Sequence, residues 1–189
     1  SLIMSIKITF PDGAVREYDK GITALDIANK LSNSLGKKIL SAKINNKVCD
    51  ATLPINDDAT LELLTWNEND GKQTFWHSSA HLLAEALESL YTGVKFGIGP
   101  PIDNGFYYDV DFGDNVVSAN DLVKIEKKMK DLAAQKSEYK RQEISKADAI
   151  QYFTEKGDEY KLELLDGLND GEITFYTQGN FTDLCRGPH

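Results

Sequence analysis

Ile6-Lys7-Ile8-Thr9-Phe10-Pro11-Asp12-Gly13-Ala14-Val15-Arg16-Glu17-Tyr18 decides how the chain begins to fold. Ile6, Ile8 and Phe10 alternate with polar residues, the period of a strand with one buried face. Pro11 fixes φ and Gly13 tolerates the left-handed region, so the chain turns here and returns as a second strand through Val15 and Tyr18. Thr23 and Asp26 have capping-box spacing, and Ala24, Ile27, Ala28 and Leu31 form the buried stripe of a short helix. Further short strands are expected through Ala42–Ile44 and Leu61–Leu63, with Asn45-Asn46 as a turn. A sheet with one packed helix, within about sixty residues, predicts a compact α+β domain. It contains no histidine and only Cys49, so nothing in it reads as catalytic.

Beyond it, residues 67–72 are polar and turn-rich and read as a linker between a domain over residues 3–66 and one over 73–189. Ser78 to Tyr91 reads as a helix with an apolar face of Leu83, Ala84, Leu87 and Leu90, stopped by Gly93. Gly97, Gly99, Pro100, Pro101, Asn104 and Gly105 are too dense for regular structure and predict a shaped loop; the aromatic run from Phe106 to Val110 then reads as a strand. Ser118 and Asp121 have capping-box spacing ahead of a charged helix with one core-facing seam, Leu122, Ile125, Met129 and Leu132. Ser145 to Asp148 opens a shorter helix carrying Ile150 and Phe153, with Gly157 as its stop. Ile173 to Tyr176 reads as a strand entering the terminal loop.

The 189 residues are 41% hydrophobic, enough apolar material for real cores in one large or two small domains. No apolar run approaches the length that crosses a bilayer and no signal-peptide pattern opens the chain, so neither membrane nor export is expected. Two cysteines, Cys49 and Cys185, supply no disulfide framework, which favours a reducing, cytoplasmic setting. The net charge of −9 argues against general nucleic-acid binding, which is driven by cationic side chains. Lys124, Lys127, Lys128, Lys130, Lys136, Lys140 and Arg141 do cluster, but Glu126, Asp131, Glu138 and Glu143 dilute them into a solvated helix face.

All three histidines fall into two four-residue spacings: His77-Ser-Ser-Ala-His81 and Cys185-Arg-Gly-Pro-His189. On a helix, His77 and His81 lie one above the other and present two imidazoles to one point. His77, near the expected helix start, is held neutral by the dipole. Arg186-Gly187-Pro188 is too kinked for a helix and suits a loop that turns Cys185 and His189 inward. Four such N/S donors would satisfy tetrahedral zinc. A zincin peptidase is excluded because Ser78 stands where that motif needs glutamate, and no cysteine-protease signature surrounds Cys185. Spacing alone leaves three possibilities open: a structural zinc site, a hydrolytic site with a placed water, and a metal-free histidine pair.

At these residues the sequence resembles the N-terminal portion of bacterial threonyl-tRNA synthetases. The matching strings are His77-Ser-Ser-Ala-His81-Leu-Leu, Ile98-Gly-Pro-Pro-Ile-Asp-Asn-Gly-Phe-Tyr-Tyr-Asp109, Gly157-Asp-Glu-Tyr-Lys161 and Asp183-Leu-Cys-Arg-Gly-Pro-His189, with Phe10-Pro-Asp-Gly13 and Val48-Cys49-Asp50 fitting a small ubiquitin-like (TGS) domain. Alanyl-type editing proteins share the histidine and Cys/His pairs, but the Asp-Asn-Gly-Phe-Tyr-Tyr segment and the leading domain are threonyl-like. The resemblance implies a β-grasp TGS domain followed by an α/β editing domain, with antiparallel sheet and packed helices, truncated at its C-terminal end. Its implied activity is hydrolysis of mischarged seryl-tRNA(Thr). Serine and threonine differ by one methyl, worth only about 1–3 kcal/mol of discrimination, so a second sieve is needed.

The family's editing residues carry over onto His77, His81, Lys161, Asp183, Cys185 and His189. His77 and His81 would hold the ribose or the attacking water; Lys161 would stabilise charge or orient the terminal nucleotide. Asp183 would receive the substrate ammonium, and Cys185 and His189 would shape the serine pocket. Tyr107 and Tyr108 could each stack on an exposed base, with packing into the core as the expectation for at least one of them. Ser79 departs from the cysteine of many relatives but lies between the histidines and faces elsewhere. The resemblance implies no required metal for editing, with zinc on His77, His81, Cys185 and His189 as the alternative. ATP and a catalytic zinc belong to a synthetic domain that this sequence lacks. The implied partners are the acceptor end of tRNA(Thr) and the remaining domains of a full-length enzyme that dimerises through them. The rival readings are an inactive structural module and an alanyl-type trans-editing hydrolase.

Overall fold

The computed structural model describes residues 4–189, so the expected domain start at Ile3 lies outside the described residues. The chain packs as two units, one with the residues up to His77 together with Gly187–His189, the other Ser78–Arg186.

In the first unit, β1 (Ser5–Thr9) and β2 (Val15–Asp19) form the expected hairpin, with Ile6 opposite Tyr18 and Ile8 opposite Arg16. Ile6 and Ile8 are buried while Lys7 faces solvent, and Gly13 takes the left-handed φ of +86° that closes the turn. After β3 (Ile22–Thr23), helix α1 (Ala24–Leu31) opens with a complete capping box: Thr23 Oγ1 accepts from Asp26 N at 3.1 Å and Asp26 accepts from Thr23 N at 3.2 Å. A second short helix, α2 (Asn33–Lys38), buries no residue, which is why no periodicity announces it. Then follow β4 (Ser41–Ile44), β5 (Lys47–Cys49), β6 (Pro54–Ile55) and β7 (Ala59–Leu64). Asn45 and Asn46 both have positive φ, the I′ pattern that joins β4 to β5. The sheet order is β2-β1-β7-β4-β5, with β1 and β7 parallel and the other pairs antiparallel. Ile6, Ile8, Ala24, Ile27, Ala42 and Leu61 close one core between sheet and helix. A mixed sheet with its first and last strands adjacent and a helix across one face is a β-grasp.

The expected linker is largely helix. Helix α3 runs from Asn69 to Leu90, so residues 69–72 form its first turn and the predicted start at Ser78 is too late. Asn69 to His77 lack apolar periodicity, and Gly71 reads as a turn. Gly71 is there because a Cβ would overlap the Thr65 carbonyl.

The second unit holds the rest of α3 and β8 (Lys95–Phe96), β9 (Pro101–Ile102), β10 (Gly105–Phe106) and β11 (Val110–Asp111). These make two small antiparallel pairs, β9 with β10 and β8 with β11, in place of the single strand expected from Phe106 to Val110. Pro100 and Pro101 have no N–H to extend a ladder. Next come α4 (Asp121–Ala134), β12 (Lys140–Glu143), α5 (Lys146–Lys156), α6 (Glu159–Asp166), β13 (Thr174–Gln178) and β14 (Phe181–Leu184). Ser118 does pair with Asp121 (N to Oδ2 2.8 Å), but the residue capping α4 is Asn120, which makes no side-chain cap bond. Leu122 is exposed, so the seam of α4 is carried by Ile125 with Met129 and Leu132 half-buried. The basic run is not one helix face: α4 stops at Ala134, Lys136 takes a positive φ, and Lys140-Arg141 lie in β12. Strands β12-β13-β14 form an antiparallel sheet with β13 central. One core gathers Ala84, Leu87, Phe96, Ile125 and Phe181; another gathers Ala149, Phe153, Leu165, Ile173 and Phe175.

Candidate active site

Within the second unit, Lys161 and Asp183 form a buried ion pair. Asp158 caps α6 by accepting from Lys161 N at 3.2 Å, which sets Lys161 in the first turn; its side chain is 4% exposed and that of Asp183, on β14, 6%. Lys161 Nζ lies 3.1 Å from Asp183 Oδ1 and donates to the Gly97 carbonyl at 2.9 Å. Tyr108 donates its hydroxyl to Asp183 Oδ2 at 3.4 Å, and Leu184 N donates to Oδ1 at 2.8 Å. Burial pushes the Asp183 carboxyl up, opposed by Lys161 and by the Leu184 N–H. The Tyr108 hydroxyl is raised by burial and then by the Asp183 charge, so it stays protonated and can donate. Asp183, expected to receive a substrate ammonium, is thus already shared between Lys161 and Tyr108.

The sequence alone points to Tyr108 only for stacking or packing, and it gives no sign of the Gly97 carbonyl. A signal for Tyr108 does exist in the alternation: Tyr107 is 69% exposed while its neighbour turns inward. Gly99 is glycine because a Cβ there would meet the Tyr108 ring at 2.8 Å. Tyr107 makes none of the contacts of the Lys161–Asp183 pair; its ring faces solvent, open to a ligand.

Cys185 continues the β14 ladder, its N–H donating to the Thr174 carbonyl at 3.0 Å while the Thr174 hydroxyl donates to the Cys185 carbonyl. Two residues past Asp183, it shares a strand face with it. His81, on α3, is 3% exposed, packs edge-on against Phe181 at 5.7 Å, and brings a ring nitrogen within 4.8 Å of Cys185 Sγ.

Within the first unit, the His77 and His189 rings stack at 4.2 Å with 23° between planes. His77 Nδ1 lies 3.3 Å from the Pro188 carbonyl, which can only accept, so Nδ1 carries the hydrogen and Nε2 is the basic nitrogen of the neutral ring. His77 sits well inside α3, not at its start, so burial rather than the helix dipole lowers its pKa, opposed by the Pro188 bond and by Asp50. His189 N donates to Asp50 Oδ1 at 2.8 Å, and Gly187 takes a φ of +73° in the loop that leads there. His77 and His81 stand one turn apart along one face of a continuous helix.

The β-grasp unit is a TGS domain: residues 6–65 match the TGS domain family. The whole chain is similar to threonine–tRNA ligases of Cytophaga hutchinsonii (63% identity), Parabacteroides distasonis (60%) and Porphyromonas gingivalis (58%), each match covering 97% of this chain and 28% of the relative. The chain belongs to the threonine–tRNA ligase family and corresponds to its N-terminal part. It therefore spans little more than a quarter of the length of these relatives. Among the described residues, no helix is long and apolar enough to cross a membrane.

Proposed function

We propose that His77, His81, Lys161, Asp183, Cys185 and His189 serve one site that hydrolyses the ester of seryl-tRNA(Thr), within an enzyme that elsewhere charges tRNA(Thr) with threonine. The observation that carries this is the fixed tautomer of His77: Nδ1 is committed to the Pro188 carbonyl, leaving Nε2 as a neutral base one helical turn from His81. A water oxygen bonds to the ester carbonyl carbon as Nε2 takes its proton. The bond from that carbon to the ribose oxygen then breaks, and the imidazolium returns the proton to the leaving oxygen. The Lys161 ammonium supplies positive charge near the developing oxyanion, and Asp183 and Tyr108 hold it there.

The proposed hydrolysis is metal-free. His77, His81, Cys185 and His189 are a donor set that zinc accepts. His77 Nδ1, however, is taken up by the Pro188 carbonyl, so the one nitrogen His77 could give a metal is the nitrogen that acts as the base. Hydrolysis should persist in chelator, with no zinc retained after dialysis.

The deciding experiment is deacylation of seryl-tRNA(Thr) against threonyl-tRNA(Thr) by the full chain. Seryl-tRNA is expected to be cleaved preferentially, and His77→Ala and His81→Ala to abolish most of the rate. Equal rates in all versions reject the assignment. With His77 as base, the acid limb of the pH–rate profile falls below the ordinary imidazole value of 6.5, because burial lowers its pKa.

A further inference from the structure

We propose that Tyr139 and Gln178 are positioning residues that fix the histidine-bearing turn of α3. The Tyr139 hydroxyl donates to the Ser78 carbonyl at 3.0 Å, and Gln178 Nε2 donates to the His81 carbonyl at 2.9 Å. Both carbonyls lie inside α3, where the helix already offers each an N–H four residues on. The added bonds therefore satisfy no orphaned acceptor of the helix; they hold it in one place.

The two anchors match the helix dimensionally. Ser78 and His81 are three residues apart, so their carbonyls are separated by roughly 4.5 Å along the axis. Lys140 pairs with Thr177 in the β12–β13 ladder, which makes Tyr139 and Gln178 the next cross-strand neighbours, roughly 4.5–5.5 Å apart. One end of one ladder thus presents two donors at the pitch of one helical turn.

Gln178 is 2% exposed and its Oε1 is buried without a partner among the described residues. A leucine or methionine of similar size would avoid that cost, so the amide is kept for the donor it offers. The hairpin tip presses on the same helix: Gly179 has a φ of +54°, and a Cβ there would lie 2.5 Å from Glu85 Oε2, one turn beyond His81. Burial first and the Glu85 charge second push the Tyr139 hydroxyl up to about 12, so it remains a donor across the neutral range.

The role in catalysis rests on the proposed ester hydrolysis; the positioning itself does not. Tyr139→Phe and Gln178→Met are compared with the parent in the full chain. The first readout is the ring 15N shifts of the three histidines at one fixed pH, together with the unfolding midpoint. The second is kcat and KM for seryl-tRNA(Thr). Displaced His81 ring shifts in folded variants are expected, with kcat lowered between about ten- and a hundredfold and KM unchanged, the cost of misplacing a catalytic group. Unchanged His81 shifts overturn the proposal, as does unchanged kcat where the parent is active. If the parent does not hydrolyse the ester, the proposed function falls while the ring shifts still decide the positioning. If Gln178→Met does not fold, Tyr139→Phe, which removes one oxygen from a half-buried ring, decides alone.

Discussion

Lys161 is the residue whose environment departs most from what its type suggests. Read alone it is a solvated lysine; in the fold both it and Asp183 are almost wholly enclosed. Removing one partner of such a pair leaves an uncompensated charge, so Lys161→Met is expected to lower unfolding free energy by about 3–5 kcal/mol, measured by urea denaturation. Lys161→Met combined with Asp183→Leu should recover much of that loss, since both charges are then gone. Glu85 gives a prediction with a defined pH sense. Burial raises its pKa above the ordinary 4.5, followed by the Glu88 charge. The folded state therefore holds the proton more tightly than the unfolded state, and the stability this confers is complete below 4.5 and lost as pH rises through the folded value. Glu85→Gln should consequently raise the unfolding temperature at neutral pH, with the gain shrinking toward zero as pH is lowered past 4.5.

Elements are legible in the sequence where a cap or an alternation meets a buried face. The β1–β2 hairpin, the Asn45-Asn46 turn and α1 all follow from such pairs. Thr23→Ala removes the side-chain half of a complete capping box and should cost about 1 kcal/mol, read as a shift in the denaturation midpoint. Elements without an apolar signature stay hidden. Helix α2 buries nothing, and β12 is Lys-Arg-Gln-Glu with all four residues exposed, so its basic residues read as part of a charged helix. Helix α6 is obscured because Asp158 follows Gly157 closely: the cap of one helix sits against the stop of another. The histidine pair is legible from its spacing, and its helix is right in kind, but the mechanism that keeps His77 neutral is not. That depends on burial and on a carbonyl more than a hundred residues away in sequence. The same holds for Tyr139 and Gln178, whose partners are backbone atoms that no side-chain pattern encodes.

At the scale of the molecule, composition sets limits that the structure does not alter. With a net charge of −9, this stretch should hold tRNA weakly on its own. For the proposed hydrolysis, its KM for seryl-tRNA(Thr) is therefore expected to exceed that of a full-length relative, a comparison made by steady-state deacylation at matched salt. A second expectation concerns the last residue. Asp50 accepts the His189 amide, so Asp50→Ala should loosen the terminal loop, seen as narrowed and shifted His189 ring resonances, whereas Asp50→Asn keeps an acceptor and should behave like the parent.

The bond from His189 to Asp50 complicates any attempt to dissect the chain by deletion. Cutting away the β-grasp residues to isolate the half proposed to hydrolyse the ester also strips His189 of its tether. A fall in rate after such surgery would then report a lost brace for one imidazole, and could be mistaken for a lost grip on the nucleic acid.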